Sequence, residues 1–181
     1  MVTAYVVLLV AVTLERVAEL IVSTRHAAAM LARGGKEHGA GHYPVMVALH
    51  TALLVGCLVE VLVADRPFIP VLGWTMLVVV AVSQALRWWC IATLGEQWNT
   101  RVIVSLTMPL VARGPYRWLR HPNYVAVVAE GLALPLVHTA WVTALVFTVA
   151  NAALLTVRIR VENAALATAP ASTSVDTGHH V

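Results

Sequence analysis

Charge is scarce in this chain. Only 12% of its residues are Asp, Glu, Lys or Arg, against about 25% in soluble domains, and 60% are hydrophobic. Mean hydropathy is +0.80. These values exclude a soluble globular domain and point to an integral membrane protein, with 181 residues enough for a single domain of a few spans. Cysteine is also scarce. Cys57 and Cys90 both sit inside apolar runs, where a free thiol packs as a small hydrophobe, so no disulfide framework is implied. No basic segment precedes the first apolar run, and Glu15, Arg16 and Glu19 fall within it. This argues against a cleaved signal peptide. There is no Ser/His/Asp or Cys/His arrangement and no glycine-rich phosphate loop. His38 and His42 have helical metal-pair spacing, but Gly39 and Gly41 stand between them and no Cys or acid follows at ligand spacing. No metal site is assigned, and nothing points to nucleic acid.

The apolar runs give five spans. They cover Val2 to about Val22, Pro44 to Ala64, Pro70 to Leu94, Tyr124 to about Val137, and Ala140 to Val157. A run of about 20 apolar residues crosses a ~30 Å hydrocarbon core. Ser23 to Tyr43 reads as a polar connection, Asp65-Arg66-Pro67 as a tight turn, and Gly95 to Arg101 as a helix break. Val102 to Val111 is short for a span and reads as extended or interfacial, and Pro135 with His138-Thr139 as a turn. Residues 1–166 form one domain, with 84–166 as its catalytic part. The small, polar stretch 167–181 has no period and reads as a disordered tail. With five spans, Arg25, Arg33, Lys36, Arg101, Arg113, Arg117, Arg120, Arg158 and Arg160 share one side, and Arg66 alone lies on the other. The positive-inside rule puts the first set in the cytoplasm and the N-terminus outside the cell membrane.

Two polar clusters break the apolar pattern: Arg113 to Tyr124, and Arg158-Ile159-Arg160-Val161-Glu162-Asn163. Placing an ionisable group at membrane depth costs roughly 2.5–3.5 kcal/mol or more, so such concentrations mark a site. His121 directly precedes Pro122, which holds it in an extended or turn conformation. The hairpin formed by the last two spans brings both clusters to one pocket. Gln84 and Arg87 share a helical face, and Arg87 is deep enough to need a partner or a watery cavity; Glu15, Arg16 and Glu19 read as an interfacial helix end whose charges pair or snorkel, or as acids that orient an arginine of the site. Trp74, Trp88 and Trp89 sit where aromatic belts form.

Gly114-Pro115-Tyr116, Arg120-His121-Pro122-Asn123-Tyr124 and the stretch Arg158 to Leu166 resemble the isoprenylcysteine carboxyl methyltransferase family, whose signature is Arg-His-Pro-x-Tyr, a helical hairpin, then Arg-x-x-x-Glu-Glu. With Gln84 to Ile91, Leu94-Gly95, Trp98-Asn99-Thr100 and Glu130, the chain looks most like the bacterial branch that accompanies type III polyketide synthases. Asn163 stands where many members have the second glutamate. The resemblance implies an all-α membrane fold with a cytosolic cofactor pocket. It also implies S-adenosyl-L-methionine as cofactor and a lipid-tailed acceptor arriving from the bilayer, an alkylpyrone or alkylresorcinol, with prenylcysteine carboxyl as the other acceptor. Carried over by motif position, Gly114, Tyr116, His121, Pro122, Tyr124 and Glu162 contact the cofactor. Arg120, Arg158 and Glu162 serve catalysis, and Gln84, Arg87, Trp88, Trp98, Asn99 and Glu130 meet the acceptor. Membrane sterol reductases carry a similar Arg-His-Pro-Asn-Tyr stretch, so a reductase using NADPH is the alternative, and a lipid-binding scaffold without catalysis is a third.

Overall fold

A computed structural model describes residues 1–105, 108 and 111–167. Five α-helices alternate in direction between two ends: α1 (Val2–Ala32), α2 (His42–Val63), α3 (Pro70–Leu94), α4 (Pro122–Leu136) and α5 (Trp141–Leu166). Three stretches are long and apolar enough to cross a membrane: His42–Val63, Pro70–Gln97 and Trp141–Leu166. α1 is interrupted by Glu15, Arg16 and Glu19, and α4 has only 15 residues. The predicted tail lies outside the described residues apart from Ala167.

The molecule is inside out relative to a soluble bundle. Val7, Leu14, Val78, Val82, Leu145, Val146 and Val149 are exposed, whereas Glu19, Ser23, Arg87, Glu130, Asn151 and Arg158 are buried. A continuous apolar exterior is stable only against another apolar phase, and buried charges persist only when paired. The apolar core joins Tyr5, Leu9 and Val12 of α1 to Leu53, Cys57 and Val61 of α2, Val80 of α3, Leu134 of α4 and Phe147 of α5. Gly131 sets the close approach within the α4–α5 hairpin, because a Cβ there would lie 2.0 Å from the Phe147 ring. Both cysteines are buried and free, as the apolar runs predict.

The two ends are fastened differently. At one, the Tyr5 hydroxyl donates to the Leu134 carbonyl (3.0 Å), Thr139 donates to the Pro67 carbonyl (2.6 Å), and Glu60 accepts from the Val142 and Thr143 amides at the start of α5. At the other, the ends of α1, α3 and α5 meet the starts of α2 and α4, and here the chain between α3 and α4 is inserted.

Several boundaries differ from expectation. α1 continues ten residues past Val22, because nothing breaks it before Gly34, which ends it at φ +80. Its extension buries Ser23, Ala27 and Met30 against the inserted chain. Pro135 lies in the last turn of α4, and the bend follows it, with Thr139 at φ 54. α5 runs through Arg158 and Glu162 to Leu166, so the second polar cluster is helical, with Arg158 and Glu162 one turn apart on the cavity side and Arg160 exposed on the other. The all-α expectation also misses a two-stranded antiparallel sheet, β1 (Lys36–His38) with β2 (Val102–Val104). Each strand is three residues long, too short to show a period, and only their pairing across the chain defines them.

Candidate functional site

A cavity of about 510 Å³ opens at the inserted end. Met30 of α1, Leu94 of α3, Trp98 and Asn99, the β2 strand, Tyr116, Arg120, His121, Asn123 and Tyr124, and Arg158, Glu162, Asn163 and Leu166 of α5 line it. Its volume lies within the ~300–1,000 Å³ of small-molecule sites.

The local sequence explains how His121 and Tyr124 arrive there. Pro122 opens α4, where its missing N–H costs nothing, and His121 precedes it at φ −133, ψ 62. The two rings stack, with centroids 5.3 Å apart and planes 21° from parallel. Across the hairpin, the Tyr124 hydroxyl donates to Glu162 Oε2. His121 Nδ1 lies 3.4 Å from Glu162 Oε1, and Nε2 lies 3.2 Å from Asn163 Oδ1. With an acceptor at each nitrogen the protonated ring is favoured, and hydrogen bonding to Glu162 raises the His121 pKa above its ordinary value. Asn163, standing where many family members have a second glutamate, thus still supplies an acceptor to His121.

Arg158 closes the arrangement from beneath. Its Nε donates to the Tyr124 hydroxyl (2.7 Å), Nη2 to the Thr100 carbonyl (2.6 Å), and Nη1 meets Met46 Sδ at 2.7 Å. One buried guanidinium therefore ties α2, the inserted chain, α4 and α5 together. Arg120, by contrast, is exposed on the cavity wall. Trp98 is buried, its carbonyl 2.8 Å from His26 Nδ1, and the Thr100 amide donates to Ser23 Oγ (2.8 Å). Tyr116 sits against Cys90, and burial pushes its hydroxyl pKa up, keeping it a neutral donor.

Of the residues singled out from sequence, Arg120, His121, Tyr124, Arg158, Glu162, Tyr116, Trp98 and Asn99 come together on the cavity. Pro122 is buried behind it. Gly114 (φ +56) packs on Thr93, where an added Cβ would meet Oγ1 at 2.6 Å. Gln84, Arg87, Trp88 and Glu130 do not line this cavity. They form a second cluster with α1: Arg16 Nη1 bonds Glu19 (2.5 Å), its Nη2 bonds Gln84 (2.7 Å) and Glu130 (3.1 Å), and Arg87 Nη2 bonds Glu130 (2.7 Å). Glu15 accepts from Gln84 and from the Trp88 indole N–H (2.7 Å). Along α3 and α4 this cluster lies about 9–15 Å deeper than Leu94 and Tyr124, at 1.5 Å per residue. The charges of α1 pair with one another, Arg16 with Glu15 and Glu19, in this second cluster and not on the cavity. Met46 and the Thr100 carbonyl have no sequence signal, because a thioether and a backbone group become partners only through tertiary placement.

The cavity wall sets one carboxylate among three arginines, Arg101, Arg120 and Arg158, with aromatic and amide groups beside them. Glu162 supplies a carboxylate, His121 and Tyr124 a ring stack, and Asn99, Asn123 and Asn163 amide groups. Comparison with known proteins gives the family and the fold. Residues 74–168 match the family model of the isoprenylcysteine carboxyl methyltransferase (ICMT) family. The uncharacterised protein YpbQ of Bacillus subtilis is 37% identical over 161 residues, covering 88% of this chain and 95% of that protein. An uncharacterised protein of Haemophilus influenzae is 25% identical over 148 residues, with coverage of 81% and 86%. Among solved structures, the eukaryotic intramembrane Ras methyltransferase ICMT superposes with a TM-score of 0.56 at 24% identity, over 70% of this chain. The chain spans 46% of that larger protein, so this likeness concerns the fold.

Proposed function

The chain belongs to the isoprenylcysteine carboxyl methyltransferase family, and on that premise we propose that it is a membrane methyltransferase using S-adenosyl-L-methionine and acting on an acidic oxygen of a lipid-tailed acceptor. The observation that carries this reading is the joining of His121, Tyr124, Arg158 and Glu162 across the α4–α5 hairpin on one cavity wall. When bound, the cofactor supplies an electrophilic methyl group on a sulfonium. An ionised acceptor oxygen would take that methyl group, and the electron pair of the broken carbon–sulfur bond would stay on sulfur, with no residue needed as a base.

The residues then divide the work. Glu162 favours the cationic cofactor, held in place by Tyr124 and His121. Arg120, whose guanidinium is exposed on the wall, holds the acceptor anion. Arg158, on the same wall, has protein partners at three nitrogens and positions Tyr124 and the Thr100 carbonyl beside the join of cofactor and acceptor. Alignment and exclusion of water supply about 7–11 kcal/mol of barrier reduction, which suffices for a displacement that needs no proton removed from an already ionised nucleophile. Gln84, Arg87, Trp88 and Glu130 hold α1 against α3 and α4 on the acceptor's path from the bilayer. The basic residues gathered at the cavity end support a cytoplasmic opening, with the N-terminus outside and α1 and α4 completing five spans.

The acceptor is an alkylpyrone or alkylresorcinol hydroxyl, with prenylcysteine carboxyl as the second choice. Titrating purified protein with S-adenosylhomocysteine and with NADPH tests the cofactor. Binding of only the first supports methyl transfer, binding of only the second moves the protein to lipid reduction, and binding of neither leaves a lipid-binding scaffold. Mass spectrometry of lipid extracts from expressing and deleted cells tests the acceptor by searching for a lipid heavier by one methylene.

A further inference from the structure

Arginines at the cavity end fall into two kinds. Arg33 is paired with Glu96 and Arg101 with Glu37. Arg113, Arg117 and Arg120 are exposed, and among the described residues none has an acidic partner. Arg113 precedes the Gly114–Arg117 turn and Arg117 is its last residue; the turn is clamped onto α3. Pro115 is buried, Tyr116 bonds Cys90, Gly114 packs on Thr93, and the Trp118 and Leu119 amides donate to the Pro115 carbonyl at 3.3 and 3.1 Å. The clamp turns apolar groups outward. Trp118 is 64% exposed, Leu119 45% and Trp89 47%. The two indoles meet edge to face at 5.9 Å, and the Arg117 guanidinium lies 4.8 Å from the Trp118 ring.

Depth gives this patch its environment. α3 has 25 residues, about 37 Å of helix, and exceeds a ~30 Å hydrocarbon core. The polar stretch Gly95–Arg101 follows directly on its C-terminal end, so that end and the turn clamped to it at Cys90 and Thr93 are placed in the headgroup layer. Indoles favour that layer for their mixed polarity, and unpaired guanidiniums there favour anionic phosphate, which they bind in a planar fork. A zwitterionic headgroup brings its own cation, which this cluster repels.

We propose that Arg113, Arg117, Trp89, Trp118 and Leu119 form a docking site for an anionic phospholipid, the arginines on its phosphate and the indoles and Leu119 on its glycerol and upper acyl chain. Arg120 joins this patch to the cavity wall, so the bound lipid sits on the rim of the site. The inference stands apart from the reaction assigned above, since it uses neither the cofactor nor the acceptor.

The experiment titrates delipidated protein in non-ionic detergent with bromine-labelled phosphatidylglycerol and, separately, bromine-labelled phosphatidylcholine, reading tryptophan quenching. Phosphatidylglycerol is expected to half-saturate at about tenfold or more lower concentration. The R113Q/R117Q variant, which leaves Arg120 in place, is expected to lose this preference, at about fivefold per arginine removed. Trp118→Ala should cut the quenching amplitude. Protection of Cys57 and Cys90 from a thiol dye verifies that each variant is folded, since both are buried. Equal affinity for the two lipids, or an unchanged phosphatidylglycerol affinity in the folded double variant, would overturn the proposal. So would displacement by inorganic phosphate at equal affinity, which would assign the arginines to a free anion.

Discussion

Removing Arg158 tests whether one buried guanidinium holds the cavity together. Its partners come from three other elements: Met46 of α2, the Thr100 carbonyl of the inserted chain and Tyr124 of α4. The side chain is 6% exposed. Alanine at this position leaves the Thr100 carbonyl and the Tyr124–Glu162 pair without their cation, and breaking a buried charged arrangement on one side costs about 3–5 kcal/mol. Each kilocalorie is worth about 2–4 °C in a protein of this size, so Arg158→Ala should melt about 10 °C or more below the parent. Lysine keeps the charge but has one nitrogen to offer three partners. It should lose an intermediate amount, roughly the 1–3 kcal/mol of an unmade buried hydrogen bond. Cys57 and Cys90 provide the assay, because each is fully buried and reacts with a thiol dye only on unfolding. The same sample gives the affinity for S-adenosylhomocysteine. A structural tie predicts non-additivity, with Tyr124→Phe costing less in the Arg158→Ala background than alone. An Arg158→Ala protein that melts within about 3 °C of the parent, under ~1.5 kcal/mol by the same conversion, and binds the ligand normally refutes the reasoning.

His121→Ala and Glu162→Ala should each lower methyl transfer by about tenfold or more, at least ~1.4 kcal/mol of barrier, while still inserting in the membrane. Near-normal turnover of both with radiolabelled cofactor would remove the site assignment. The His121 pKa is raised by Glu162, so the contact's stabilisation is full below the unfolded value of about 6.5 and is lost as pH rises through the folded value. Thermal stability measured against pH should fall over that rise in the parent and stay flat there in Glu162→Gln. Gly131→Ala places a methyl 2.0 Å from Phe147 and should cost about 1–3 kcal/mol through overpacking, read as a lower melting temperature. Cys90→Ser should retain turnover, because the hydroxyl still meets Tyr116; loss of activity in a folded variant would show that the thiol takes part.

The amino-acid order alone determined the apolar surroundings of the helices and which polar residues gather at the cavity end. Apolar runs of spanning length fix helices, since backbone groups in hydrocarbon must bond within their own segment, and α3 begins and ends at the residues its pattern gives. Pro122 after His121 fixes the start of α4, and the motif spacing identifies His121, Tyr124, Arg158 and Glu162. Tertiary structure alone decided which polar groups share a pocket. Arg87 and Glu130 belong by motif with Trp98 and Asn99, yet they pair deeper in the bundle, Glu130 with Arg16 and Arg87 with Glu130 and Glu19, because α1 passes there and a buried charge takes the nearest opposite charge. The Thr100 carbonyl, Met46 and the β1–β2 pairing carry no pattern, because a backbone acceptor, a thioether and a three-residue strand gain meaning only from what is brought beside them.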